Sequence, residues 1–176
     1  MKRFVLFLVF GFWLVRNGGA TETVSGDVSG TWTEGNSPYL VEGDINVPLD
    51  KELYVERGVE VRFNNGRLFT ISGTLNTYGS LNSPVVFTGY SQQKGYWRGI
   101  EVYGYANLNY TNILYGGYPH YAKASNLYVE GILTLNNCLI GSSSNYGIWI
   151  NQGSITITNS TFTANTWPIY QSLNTS

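Results

Sequence analysis

An eight-residue pattern, apolar-x-apolar-x-Asn-x-x-apolar, recurs in the second half of this chain and constrains its fold more than any other feature. Leu133 to Ile140 reads LTLNNCLI, and Ile155 to Phe162 repeats it as ITITNSTF at an offset of 22 residues. A third copy, LNYTNILY from Leu108 to Tyr115, lies 25 residues earlier. Self-similarity at such a period marks a repeat architecture, in which one unit buries its apolar side only against the next.

The remainder is written in short alternating strands, three to a repeat. Ile45, Val47, Leu53, Val55, Val59, Val61 and Phe63 fall on one side of the first set, with Asn46, Tyr54, Glu60 and Arg62 on the other. Further sets begin near Leu68, Ile100, Leu127 and Ile148, and Ile169-Tyr170 opens a sixth that does not finish. No stretch carries a helical period. The pattern specifies an all-β parallel β-helix of about five to six coils, each strand bonded to its counterpart one coil on, about 4.8 Å away. Like residues then stack: Leu133 on Ile155, Leu135 on Ile157, Ile140 on Phe162. Burying each such side chain stabilises by about 1.5–3 kcal/mol. Ordering the backbone of a coil opposes most of that, so a coil holds only within a stack.

Asn112, Asn137 and Asn159 share one register in this alignment, just before the third strand of a coil. Asn tolerates the left-handed conformation of a sharp corner, and stacked amides bond along the column. Cys138 aligns with Ile113 and Ser160 and reads as a small packed residue; as the only cysteine it excludes an internal disulfide framework.

Residues 1–20 read as a signal peptide: Met1-Lys2-Arg3, a 12-residue apolar run from Phe4 to Val15, then Gly18-Gly19-Ala20 for cleavage. As a helix that run would reach about 18 Å, short of a bilayer core of about 30 Å. No membrane span is therefore expected, and the chain is expected to be secreted or held at the cell surface. Residues 21–44, with Trp32, are expected to form an N-terminal β cap over the open end of the stack. Residues 45–176 form the helix itself, its last coil incomplete and its unpaired end open to edge-to-edge self-association. Ten basic and 11 acidic residues leave a net charge of −1, which gives no electrostatic reason to bind nucleic acid.

Several segments together resemble the start of bacterial surface β-helix repeat proteins of the pectate-lyase-like superfamily. They are Ser37-Pro38-Tyr39, Gly43-Asp44-Ile45, Val47-Pro48, Gly58-Val59-Glu60-Val61, Gly73-Thr74-Leu75, Pro84-Val85-Val86-Phe87-Thr88 and Trp97-Arg98-Gly99-Ile100. The resemblance implies a right-handed β-helix, the hand expected of parallel crossovers in general. It also implies where chemistry would lie in an enzyme of this fold: lyases cluster acids for calcium beside a basic residue, and hydrolases pair two carboxylates.

Neither arrangement is legible here. Asp occurs only at 27, 44 and 50, and Glu130 is the only acid after Glu101, so the third to fifth coils are not expected to stack two carboxylates. No catalytic residue, metal ligand or cofactor is assigned. Two surfaces are candidates for binding. Tyr128, Trp149 and Tyr170, each 21 residues apart, form an outward column preceded by Glu101; its rings would stack on sugars or simply brace the sheet. Loops 89–99 and 116–126 leave one edge on successive coils and carry Tyr96, Arg98, Tyr118, His120, Tyr121 and Lys123, an aromatic and basic rim suited to an acidic or neutral glycan. Trp97 is expected to pack inward. The expected function is a non-catalytic exported module that binds a polysaccharide or cell-surface glycan. Two alternatives stay open: the N-terminal part of a carbohydrate-active lyase or hydrolase whose catalytic coils lie further on, and a structural or assembly spacer.

Overall fold

The structure, a computed structural model, describes residues 21–172, so the signal peptide expected at 1–20 lies outside the described residues. Apart from a short 3-10 turn at Glu34–Asn36, the regular structure is all strand. In chain order the strands are β1 (Glu22–Asp27), β2 (Gly30–Trp32), β3 (Tyr39–Val47), β4 (Glu52–Glu56), β5 (Glu60–Phe63) and β6 (Leu68–Ile71). They continue with β7 (Thr74–Tyr78), β8 (Val85–Gly89), β9 (Gly99–Val102), β10 (Tyr105–Asn109), β11 (Thr111–Leu114) and β12 (Ser125–Val129). The last are β13 (Ile132–Asn136), β14 (Leu139–Gly141), β15 (Tyr146–Ile150), β16 (Ser154–Thr158), β17 (Thr161–Thr163) and β18 (Trp167–Gln171). Their pairings are parallel and wind the chain into a β-solenoid of about six turns.

Three faces result. The first stacks β3, β6, β9, β12, β15 and β18; the second β2, β4, β7, β10, β13 and β16; the third β3, β5, β8, β11, β14 and β17. β3 serves two faces because it turns a corner, pairing through Tyr39–Val41 with β5 and through Ile45–Val47 with β6. β1 runs along β3, and β2 along β4, in the same parallel sense. Val24 and Val28 from this lower edge pack on the core, and Trp32 stacks on Tyr39 with ring centroids 4.5 Å apart.

Inside, alternation delivers columns of like side chains. Ile45, Phe69, Ile100, Leu127, Ile148 and Ile169 lie one above the next, as do Val47, Ile71, Val102, Val129 and Ile150. Leu133 pairs with Ile155, Leu135 with Ile157 and Ile140 with Phe162, the stacking the repeat requires. Trp97 is fully buried against Phe63, centroids 4.0 Å apart, and its indole N–H donates to Leu114 O at 2.8 Å.

The third copy of the repeat is out of register with the sequence alignment. Leu108 lies under Leu135, an offset of 27 rather than 25, and Asn112 pairs with Leu139 inside β11. The left-handed corner equivalent to Asn137 and Asn159 is therefore taken by Tyr110, with φ of 43° against 55° and 49°. Cys138 correspondingly follows the β14 register over Thr111, not Ile113, and is buried with its thiol donating to Leu108 O. The amide ladder exists, but elsewhere: Asn136 donates to Asn109 at 2.9 Å, and Asn107 to Asn76 at 3.1 Å, both on the second face. The third turn takes 27 residues to reach its counterpart and the fourth 22, so an offset of 25 misplaces the third copy by two, and Tyr110 takes the left-handed corner where the alignment expects Asn.

Two corners fix the geometry of the first face. Between the first and second faces, Gly73, Gly104, Gly131 and Gly153 sit one above another. A Cβ on Gly131 would lie 2.1 Å from Gly104 O, so only a bare backbone fits. Between the third and first faces, the fully buried Asn126 accepts from Gly116 N–H and donates to Gly141 O, both at 2.8 Å. These bonds pin the end of loop 116–126 to the solenoid.

Candidate functional site

Parallel pairing carries the outward residues of the first face into register: Asn46, Thr70, Glu101, Tyr128, Trp149 and Tyr170. The expected aromatic column is therefore present, but it is not a row of exposed rings. Tyr128 is only 4% exposed, Trp149 is half-buried, and Tyr170 is 40% exposed. The rings meet edge to face, Tyr128 on Trp149 at 5.5 Å and Trp149 on Tyr170 at 5.6 Å. That geometry suits the negative ring face and positive ring edge. Tyr146 completes the patch, stacked on Tyr170 at 4.8 Å and edge-on to Trp149 at 5.6 Å. The Trp149 indole N–H donates to Ser172 Oγ at 2.8 Å.

Below the patch lies a polar knot centred on Glu101, whose side chain is 6% exposed. Loops 89–99 and 116–126 leave the same corner on successive turns and bond to each other, Gly95 N–H to Gly116 O and Tyr118 N–H to Trp97 O. Their ends bring Arg98, Tyr121 and Lys123 onto the first face. Glu101 accepts from the Tyr103 hydroxyl at 2.5 Å, from Lys123 Nζ at 3.2 Å and from the Tyr121 hydroxyl. Lys123 also donates to the Tyr103 hydroxyl. Its ammonium lies 4.4 Å from the Tyr128 ring centroid and 4.9 Å from that of Tyr103, within cation–π range of both. Arg98 sits over the Tyr121 ring at 5.1 Å and pairs with Asp44 at 3.4 Å.

The protonation states follow from this packing. Burial, then the bond to Glu101, pushes the Tyr121 hydroxyl well above its usual range, and the same two causes raise Tyr103. Burial works against the Lys123 charge, but the Tyr103 hydroxyl and the Glu101 carboxylate outweigh it, and its affinity for the proton rises. Tyr128 is pushed up to about 12 by burial and by donating to Glu130 at 2.5 Å. That bond, joined by one from Asn151 at 2.9 Å, holds the Glu130 carboxyl below its usual range. At neutral pH the knot is thus a fixed set of charges: protonated phenols, an ammonium, and Glu130 as a carboxylate.

No two carboxylates of these turns share a register position: Tyr128, not Glu130, pairs with Glu101, and Glu130 follows two residues on. One expectation needs correction: Arg98 and Lys123 are not a free basic rim, since each already lies against a carboxylate of the chain. Of the other loop residues, Tyr96 and Tyr118 are half-buried, Tyr118 with its ring against Gly66, and His120 is exposed at φ of 64°.

Tyr103 and Tyr146 are the members of the site that the sequence reading passed over. Tyr103 had a signal: Glu101-Val102-Tyr103 and Tyr128-Val129-Glu130 are outward i, i+2 pairs of acid and phenol. Tyr146 had none, because it shares the parity of the inward Ile148 and Ile150. No metal-binding cluster and no helix long and apolar enough to cross a membrane occur among the described residues. Comparisons with protein-family models, with curated proteins and with solved structures return no match.

Proposed function

We propose that this chain is a non-catalytic binding module of an exported protein, a β-solenoid of the pectate-lyase-like kind that recognises a glycan at a cell surface or in a polysaccharide. One observation carries the reading: Tyr146, Trp149 and Tyr170 form a contiguous, partly exposed aromatic patch on a rigid face, with hydrogen-bonding groups beside it. Sugar rings present apolar faces to such patches and hydroxyls to their polar margins. The parallel ladder beneath keeps the rings in place without a ligand, which reduces the ordering that binding would otherwise require. The chemistry of the knot supports a passive role. Glu130 is held ionised by the Tyr128 and Asn151 donors, and the Glu101 carboxyl is occupied by three donors of the chain itself.

The test is affinity electrophoresis of the full chain through gels containing soluble polysaccharides, with Trp149→Ala and Tyr170→Ala beside the parent. Retention should fall about tenfold in each variant, the loss expected for an anchoring ring worth roughly 1.4 kcal/mol. Equal retention by both variants, with unchanged circular dichroism, would refute the reading.

A further inference from the structure

The charges around the aromatic patch select among glycans. Asp44, Arg98, Glu101, Lys123 and Glu130 are the charged side chains that touch the rings of the first face or one another, while Lys94 is exposed further out on loop 89–99. The two cations of that set are engaged by the chain itself. Arg98 pairs with Asp44 at 3.4 Å and covers Tyr121, while Lys123 pairs with Glu101 at 3.2 Å between two tyrosine rings. A uronate, sulfate or sialic acid would find no unengaged cation among these five, and it would have to break a pair to bind one. The remaining charge is Glu130, an exposed carboxylate. Its Oε1 accepts from Tyr128 and Asn151, at 2.5 and 2.9 Å, which leaves Oε2 able to accept from a hydroxyl. Tyr128 links it directly to the patch, since the Tyr128 and Trp149 rings are 5.5 Å apart.

Resting on the glycan reading above, we infer that the site takes an uncharged polysaccharide, one sugar ring lying on Trp149 and a hydroxyl donating to Glu130 Oε2. An uncharged chain needs no counter-charge and supplies the donors that a carboxylate accepts. An anionic chain meets Glu130 as a repulsive neighbour. Glu130 therefore acts as a specificity residue as well as a contact.

The experiment runs the full chain and Glu130→Gln through gels of galactomannan, xyloglucan and mixed-linkage β-glucan, all uncharged. Parallel gels contain polygalacturonate and heparin, which are anionic, or chitosan, which is cationic. Each is run at about 50 mM and about 500 mM salt, a range that screens exposed charges strongly. The expected result is retention in at least one uncharged gel, equal at both salt concentrations, weakened about tenfold in Glu130→Gln by loss of the charged acceptor. Retention confined to an anionic or cationic gel and fading with salt overturns the inference while leaving glycan binding intact. So does retention in an uncharged gel that Glu130→Gln does not alter. Retention in no gel overturns the glycan reading itself, and the inference falls with it.

Discussion

Lys123→Met tests whether the basic residue of the rim is a latch or a free contact. The substitution keeps an unbranched chain of similar length but removes the ammonium from between the Tyr103 and Tyr128 rings. Glu101, whose side chain is 6% exposed, then keeps the two phenol donors and loses its counter-charge; the Lys123 side chain is 29% exposed, so solvent screens the pair only in part. Loss of one charge-assisted bond costs about 1.5–3 kcal/mol, and an unpaired buried carboxylate adds to that, so about 2–3 kcal/mol is expected after screening. Urea unfolding followed by tryptophan fluorescence measures it. Glu101→Gln alone loses the same pair from the other side, and the double variant should cost less than the sum by about 1–2 kcal/mol, since the interaction can be lost only once. A Lys123→Met midpoint within about 0.5 kcal/mol of the parent, the range of ordinary surface changes, would refute the latch. So would additivity of the two substitutions.

The same network makes stability depend on pH. Tyr103, Tyr121, Tyr128 and Lys123 all hold their protons more tightly when folded, so the stability they supply is complete below about pH 10, where they are protonated in both states. It is lost as pH rises toward about 12, where Tyr128 itself ionises; urea midpoints should fall over that window, and a flat profile would contradict the network. Glu130 has the opposite sign: its contribution is present above about pH 4.3 and declines as acid protonates the folded carboxyl. Gly131→Ala places a methyl 2.1 Å from Gly104 O and 2.4 Å from Tyr103 O. The turns must part, straining the 2.9 Å bonds from Gly131 N–H to Val102 O and from Ile132 N–H to Gly104 O, at about 3 kcal/mol or more in a thermal melt. Gly35→Ala, whose methyl meets nothing nearer than 3.9 Å, should change the same melt by less than about 0.5 kcal/mol. Asn126→Ala leaves Gly116 N–H and Gly141 O without their 2.8 Å partners at a buried corner, for about 2–4 kcal/mol, read from protection of Gly116 N–H against hydrogen exchange.

The solenoid was legible because its energetics are periodic. Inward aliphatics such as Ile45, Phe69, Ile100, Leu127 and Ile148 must recur wherever strands stack, and period-two alternation exposes them in the sequence. Corners follow weaker rules. Asn, Tyr and Gly all take up the tight turns here, as Asn137, Tyr110 and Gly73 do, so aligning the repeat on Asn misplaced the third copy by two residues. Pairing Leu108 with Leu135 keeps the core column intact, and that packing outranks the identity of the corner residue.

The site was legible as positions but not as contacts. Alternation places Tyr128, Trp149 and Tyr170 outward in one column, yet it cannot say that Lys123, from loop 116–126, lies over the Tyr128 ring or that this ring is buried. Two loops, each anchored by backbone bonds to the other, decide where Arg98 and Lys123 end, and loop paths depend on long-range bonds such as Asn126 to Gly141 O that no local pattern encodes. Their arrival changes the character of the face. A rim that reads as basic in the sequence is internally neutralised by Asp44 and Glu101, and the one acid outside those pairs, Glu130, ends next to the aromatic rings. Charge counted along the chain predicts the partner only where side chains stay unpaired. Here pairing engages Arg98 and Lys123, and what stands beside the rings themselves is amides and a single carboxylate.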